Sequence, residues 1–132
     1  MQKFVSYLLV AAMIVLAALV SCNKDNKRPD SNNYVCIYYD AEGNRIGGDA
    51  INEEILDFIM YPNPTRNVVC LHFKTADLNT VTITDKRGKT LFEQSFDSKN
   101  VVIDVSNYFA DTYRVTVDNG KQKSAQCLII TE

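Results

Sequence analysis

The sequence predicts an all-β sandwich, and three observations carry that reading. Apolar and polar residues alternate along several short stretches, turns rich in Gly, Asn and Asp separate them, and beyond residue 34 no helical period persists over several turns. Strands that bury alternate residues need a facing layer, which many short strands supply as a two-sheet sandwich.

The first hairpin is "YVCIYYDAEGNRI" (residues 34–46), an apolar run, a turn and a short return. "VTITDKRGKTLFEQSF" (residues 81–96) repeats the plan, with Val81, Ile83, Asp85, Gly88 and Leu91 mirroring Val35, Ile37, Asp40, Gly43 and Ile46. Asp opens such turns by accepting from its own backbone, and Gly supplies the positive φ. A third hairpin is "YRVTVDNGKQKSAQCLII" (residues 113–130), turning at Asn119-Gly120. Its first strand puts Tyr113, Val115 and Val117 on one face and Arg114 and Thr116 on the other. Between the first two hairpins, Ile51, Ile55 and Phe58 fit a helical stripe that Asp49 could cap. A short helical turn running into an extended segment is expected there.

"YPNP" (residues 61–64) precedes the apolar alternation that starts at Asn67. A residue before proline is pushed to extended backbone, and proline cannot donate into a ladder. Tyr61 and Asn63 are therefore held extended, and Pro62 and Pro64 blunt a sheet edge. Tyr61 can lay its ring on the core.

At 132 residues the chain has room for one domain, and a net charge of −2 with no basic face gives no case for nucleic acid. The start differs from the rest. After Lys3, an apolar run from Phe4 to Val20 is broken by Ser6 and Tyr7 alone and ends in "LVSC", Leu19 to Cys22. That ending resembles the bacterial lipobox, whose cysteine is acylated after cleavage just before it. The resemblance implies a signal peptide over residues 1–21 and an acylated N-terminus at Cys22. Two or three acyl chains, at about 0.8 kcal/mol per buried methylene, hold a protein on a membrane almost permanently. The 14 basic residues less Lys3 leave 13 against 16 acidic, a net of −3 for the mature chain. Residues 22–33 are nearly all polar and read as a flexible tether. In the lipoproteins this start resembles, Asn23 rather than Asp favours the outer membrane.

From residue 59 the chain also resembles the type A C-terminal sorting domain of the type IX (Por) secretion system. The resemblance rests on Tyr61, Pro62, Asn63 and Pro64, then Val81, Ile83, Asp85, Gly88 and Leu91, then Ile103, Asp104, Val105 and Ser106, then Tyr113 and Leu128. It implies a small Ig-like β-sandwich that directs cargo across the outer membrane. Asp111 stands where the family has Gly, Tyr108 where it has Leu, and the ending "LIITE" lacks the family's lysine.

The expected organisation is signal peptide 1–21, tether 22–33, hairpin and connector 34–58, and sandwich 59–132. About 25 residues between tether and sandwich leave no passenger to deliver. The expected function is a non-catalytic, lipid-anchored module at the cell envelope, for protein interaction or surface display. The alternative is a sorting domain recognised by the type IX machinery. A lone hairpin is marginal in water. Val35, Ile37 and Ile46 need a surface to cover, the sandwich edge is the one available, and residues 34–132 are expected to form one unit.

No catalytic, cofactor or metal residues are expected. Beyond the acylated cysteine, Cys36, Cys70 and Cys127 allow one disulfide and one free thiol, with Cys70 and Cys127 the favoured pair because each sits in an apolar strand. Cys70 and His72 share a strand face and complete a Cys₃His set with the other two, but no C-x₂-C spacing supports zinc. Glu53, Glu54 and Asp57 read as a solvated acidic cluster. The chain has one His and no Trp, so neither a Ser-His-Asp set nor a sugar-stacking platform is expected.

Overall fold

The computed structural model describes residues 28–30, 32–75 and 77–132. The expected signal peptide and Cys22 lie outside the described residues. The elements in chain order are β1 (Ile37–Tyr39), β2 (Arg45–Gly48), a 3₁₀ turn (Glu53–Ile55), β3 (Phe58–Tyr61), β4 (Val68–Phe73), β5 (Asn79–Thr84), β6 (Thr90–Phe96), β7 (Asn100–Asp104), β8 (Asp111–Asp118) and β9 (Lys123–Ile130). The helical turn expected after Asp49 is this single 3₁₀ turn, and Asn52 caps it by accepting from the Glu54 amide.

The strands form a three-stranded sheet ordered β3-β4-β7, a four-stranded sheet ordered β6-β5-β8-β9, and the two-stranded hairpin β1-β2. All named pairs are antiparallel. The alternation read from the sequence sets the core. Val81 and Ile83 of β5 and Tyr113, Val115 and Val117 of β8 are buried, while Thr82, Arg114 and Thr116 are half-buried on the other face. They meet Phe58, Met60, Val69, Leu71 and Phe73 of the opposing sheet in one cluster. Each fully buried side chain of this kind contributes about 1.5–3 kcal/mol.

The mirrored turns of the first two hairpins are structurally the same. Asp40 Oδ1 accepts from the amides of Glu42 and Asn44, and Asp85 Oδ1 from those of Arg87 and Lys89. Gly43 and Gly88 follow at φ 84° and 85°, a backbone that L side chains rarely adopt. Both pairings carry a bulge, after Tyr38 and after Ile83.

The bulge overturns one expectation. It places Arg45 opposite Tyr39, so Ile46 takes the other face and is 64% exposed, not covered by the sandwich edge. Its mirror Leu91 is also exposed. The hairpin instead packs through Ile37 and Tyr39, which form a second cluster with Leu56 against Val35, Ile51, Ile59 and Tyr61. The ring of Tyr61 lies in this satellite cluster, not in the main core.

β9 is buried on both faces from Ser124 to Leu128, an unusual state for the outermost strand of a sheet. Leu128 faces the core. The outer edge is closed by two parallel bridges, Val35 to Gln126 and Thr65 to Ile130. Described residues within the expected tether make contacts of their own. Arg28 donates to Asp57 and Gln122, Pro29 is buried, and Asp30 accepts from the amides of Asn32 and Asn33.

Candidate functional site

Two constellations draw together residues from distant parts of the chain. The first is the YPNP corner. After β3 the chain turns through two cis X-Pro bonds, Tyr61-Pro62 and Asn63-Pro64, and Thr65 reaches across to β9. The Thr65 amide donates to Ile129 O at 2.9 Å, and the Thr131 amide donates to Thr65 O at 2.9 Å. Between the prolines, Asn63 is fully buried. Its amide donates to Tyr39 O at 3.0 Å and its carbonyl accepts from the Tyr39 amide at 3.1 Å. Its Nδ2 donates to Ile37 O and to Cys127 O, both at 2.9 Å, and its Oδ1 accepts from the Ile129 amide at 2.9 Å. One side chain thus satisfies β1 and β9 together, which a buried amide must do to offset its desolvation.

The disulfide lies beside this joint. Cys36 is bonded to Cys127, and Cys70 is the free cysteine among the described residues. This corrects the favoured Cys70–Cys127 pair. Cys70 stands on the outer face of β4, opposite Tyr61 and Val102, with its neighbours Val69 and Leu71 turned into the core. Cys127 is held beside the segment before β1, where its amide donates to Val35 O at 2.9 Å.

The second constellation is a cleft of about 510 Å³ at the β5–β6 turn, into which the sorting-motif residues Asp85, Gly88 and Tyr113 converge. Tyr34 joins from the N-terminal segment, with the Arg114 guanidinium 4.4 Å above its ring. Lys86 pairs with Asp111 at 3.1 Å across the mouth. The Asp111 carboxyl is held below the usual range, first by the Thr112 amide and then by Lys86. Burial raises the Tyr113 phenol, and the nearby Asp111 and Asp85 charges add to it. Tyr113 Oη donates to Phe109 O at 2.7 Å and its ring packs on Tyr108 at 5.5 Å. The departures at Tyr108 and Asp111 are therefore accommodated, the first in an aromatic pair and the second in an ion pair.

The other residues singled out do not converge. Asp104 closes β7, where hydrogen bonds from Ser106 hold its carboxyl low. His72 is exposed and lies 2.6 Å from Asn100 Oδ1 across β7. Glu53 pairs with Arg45 at 3.6 Å, and Asp57 accepts from Gln122 at 2.9 Å as well as from Arg28. Among the described residues no group of three or more His, Cys, Asp or Glu side chains could hold a metal ion. Sequence reasoning missed the side-chain role of Asn63 and the approach of Tyr34 to Arg114. Both contacts depend on the path of the chain before β1.

Residues 59–131 match the model of the secretion system C-terminal sorting domain, more than half of the chain. The chain belongs to that family. The matched region opens inside β3 and takes in the YPNP corner, the cleft-lining turn and β9, while β1, β2 and the 3₁₀ turn precede the sorting domain's match. Among solved structures the chain is similar to a DUF3244 family protein from Bacteroides vulgatus ATCC 8482 with an immunoglobulin-like β-sandwich fold. The two share 16% identity at a TM-score of 0.50, over 57% of this chain and 85% of that one. That likeness bears on the fold, and it agrees with the all-β, Ig-like sandwich expected for a sorting domain. No curated protein matches the chain.

Proposed function

We propose that the protein is a non-catalytic, lipid-anchored module of the cell envelope, held in the outer membrane through acylated Cys22 and acting in protein interaction or surface display. The sorting-domain sandwich is, in this reading, kept as the body of the mature protein. One observation carries it. The hairpin that precedes the sorting-domain match is fastened to that domain's last strand by the Cys36–Cys127 disulfide, the Asn63 side chain and the Val35–Gln126 bridge. A tag made to be removed near residue 59 would leave its upstream neighbour free to part. Here the upstream segment completes the fold.

The second reading is a sorting signal recognised by the type IX export machinery, and the family match favours it. Mass analysis of both termini of the mature protein, after reduction, separates the two. Reduction matters, because the disulfide would keep a severed C-terminal part attached. An acylated Cys22 and an intact Glu132 in one chain support the resident module. An acylated fragment ending near residue 60 would establish the sorting signal instead.

A further inference from the structure

The edges of the two sheets are closed unequally. β9 is bridged by Val35 and Thr65, and β3 runs into the proline corner with Tyr39 bonded to Asn63. On the opposite side of the sandwich, β6 and β7 end their sheets, and among the described residues no further backbone pairs with either. Natural edge strands are blunted by Lys, Pro, a short length or a cover. β6 has seven residues, "TLFEQSF", with no Lys, Arg or Pro. Its core-facing residues are incompletely covered. Phe92 and Phe96 stack on each other at 6.4 Å and pack on the core, yet both stay half-buried, and beside them Leu91, the unpaired residue of the bulge, is 39% exposed. At β7 the core-facing Val101 and Ile103 are already buried, and the 66% exposed Val102 stands on the outer face, so covering that edge would add less to the core.

We propose that β6 is a self-association edge, at which a second copy of this chain adds its own β6 antiparallel to form a continuous eight-stranded sheet. The register follows from chemistry. Directly opposite residues of an antiparallel pair share a face, so a two-fold axis must fall on a residue. Centring it on Glu93 sets two glutamates against each other, and centring it on Ser95 sets Glu93 against Asp97. Centring it on Gln94 opposes no like charges between Leu91 and Asp97, and it alone sets Phe92 against Phe96. Phe92 of each copy then faces Phe96 of the other on the core side, Glu93 faces Ser95 on the outer side, and the Gln94 amides meet on the axis. Cross-strand aromatic pairs are favourable, and like charges directly opposite are not.

The test uses the full chain in detergent, with sedimentation velocity across a concentration series. The wild type should dimerise. Ser95→Glu, at an exposed site, sets Glu against Glu93 twice by symmetry and should weaken the dimer about tenfold. Adding Glu93→Lys should restore it through two opposite-charge pairs. A monomer at every concentration would overturn the proposal, as would a dimer that ignores Ser95→Glu. So would a dimer dissolved by Val102→Lys on β7 and not by the β6 change.

Discussion

Asn63 shows how much one residue can settle. Its side chain makes three hydrogen bonds to the backbone of β1 and β9, and the residue is fully buried. Asn63→Ala strands two carbonyls and one amide in the interior, and an unsatisfied buried group costs about 1–3 kcal/mol. We expect a loss of about 3 kcal/mol or more by denaturant titration, well beyond an ordinary surface change. Tyr39 is the opposite case. Its phenol is buried with no hydrogen-bond partner among the described residues, and burial, with the Glu53 charge adding, raises its pKa to about 12. The unfolded value is about 10, so the folded state favours the protonated phenol. That contribution is complete below pH 10 and is lost as the pH rises from about 10 to about 12. Tyr39→Phe removes both the orphaned hydroxyl and the titration. The variant should match or exceed the wild type at pH 7, and its stability should fall less between pH 10 and 12, with the wild type as the reference for the other titrating groups.

At the scale of elements, the joint between hairpin and β9 is a division of labour. The disulfide closes a loop of 91 residues, and the hydrogen bonds of Asn63 set the geometry. Cys36→Ala should cost about 3 kcal/mol, the typical worth of a native cross-link over a long loop. Cys70→Ser, at a half-buried position outside the disulfide, should change stability by less than about 0.5 kcal/mol. Equal losses from the two variants in thermal melts would contradict the pairing described here. Tyr61 also belongs to this joint. Half-buried, it packs on the cluster of Ile37, Tyr39 and Leu56, and its ring lies where a Cβ added at Gly43 would touch it. The tyrosine of the sorting motif therefore braces the added hairpin as well as ending β3.

Across the whole molecule, two clusters share one frame. The sandwich core is continuous between the sheets, and the satellite cluster under the hairpin meets it along β3, where Phe58 and Met60 face inward while Ile59 and Tyr61 face the hairpin. Gln126 adds a buried bond from β9 to Phe58 O at 2.6 Å. Elements tied this closely should melt together. Intrinsic tyrosine signals, reporting the hairpin through Tyr39 and the sandwich through Tyr113, should give coincident transitions with far-UV circular dichroism under non-reducing conditions. An early hairpin transition would show the two parts to be independent.

The sequence by itself determined the strands, their faces and their turns, because these are local. Alternation in "VTITD" and "YRVTV" marks which side chains go inward, and Asp-x-x-Gly writes the same turn twice, as Asp40 to Gly43 and Asp85 to Gly88. The family resemblance was legible for the same reason, since its motifs are spaced turns and strands read in order. Only the tertiary structure decided which cysteine meets Cys127, what Asn63 bonds, and where Ile46 points. Each depends on contacts between residues far apart in the chain, or on a bulge that shifts the register by one. A shift of one exchanges the faces of a strand, and alternation alone carries no signal for it.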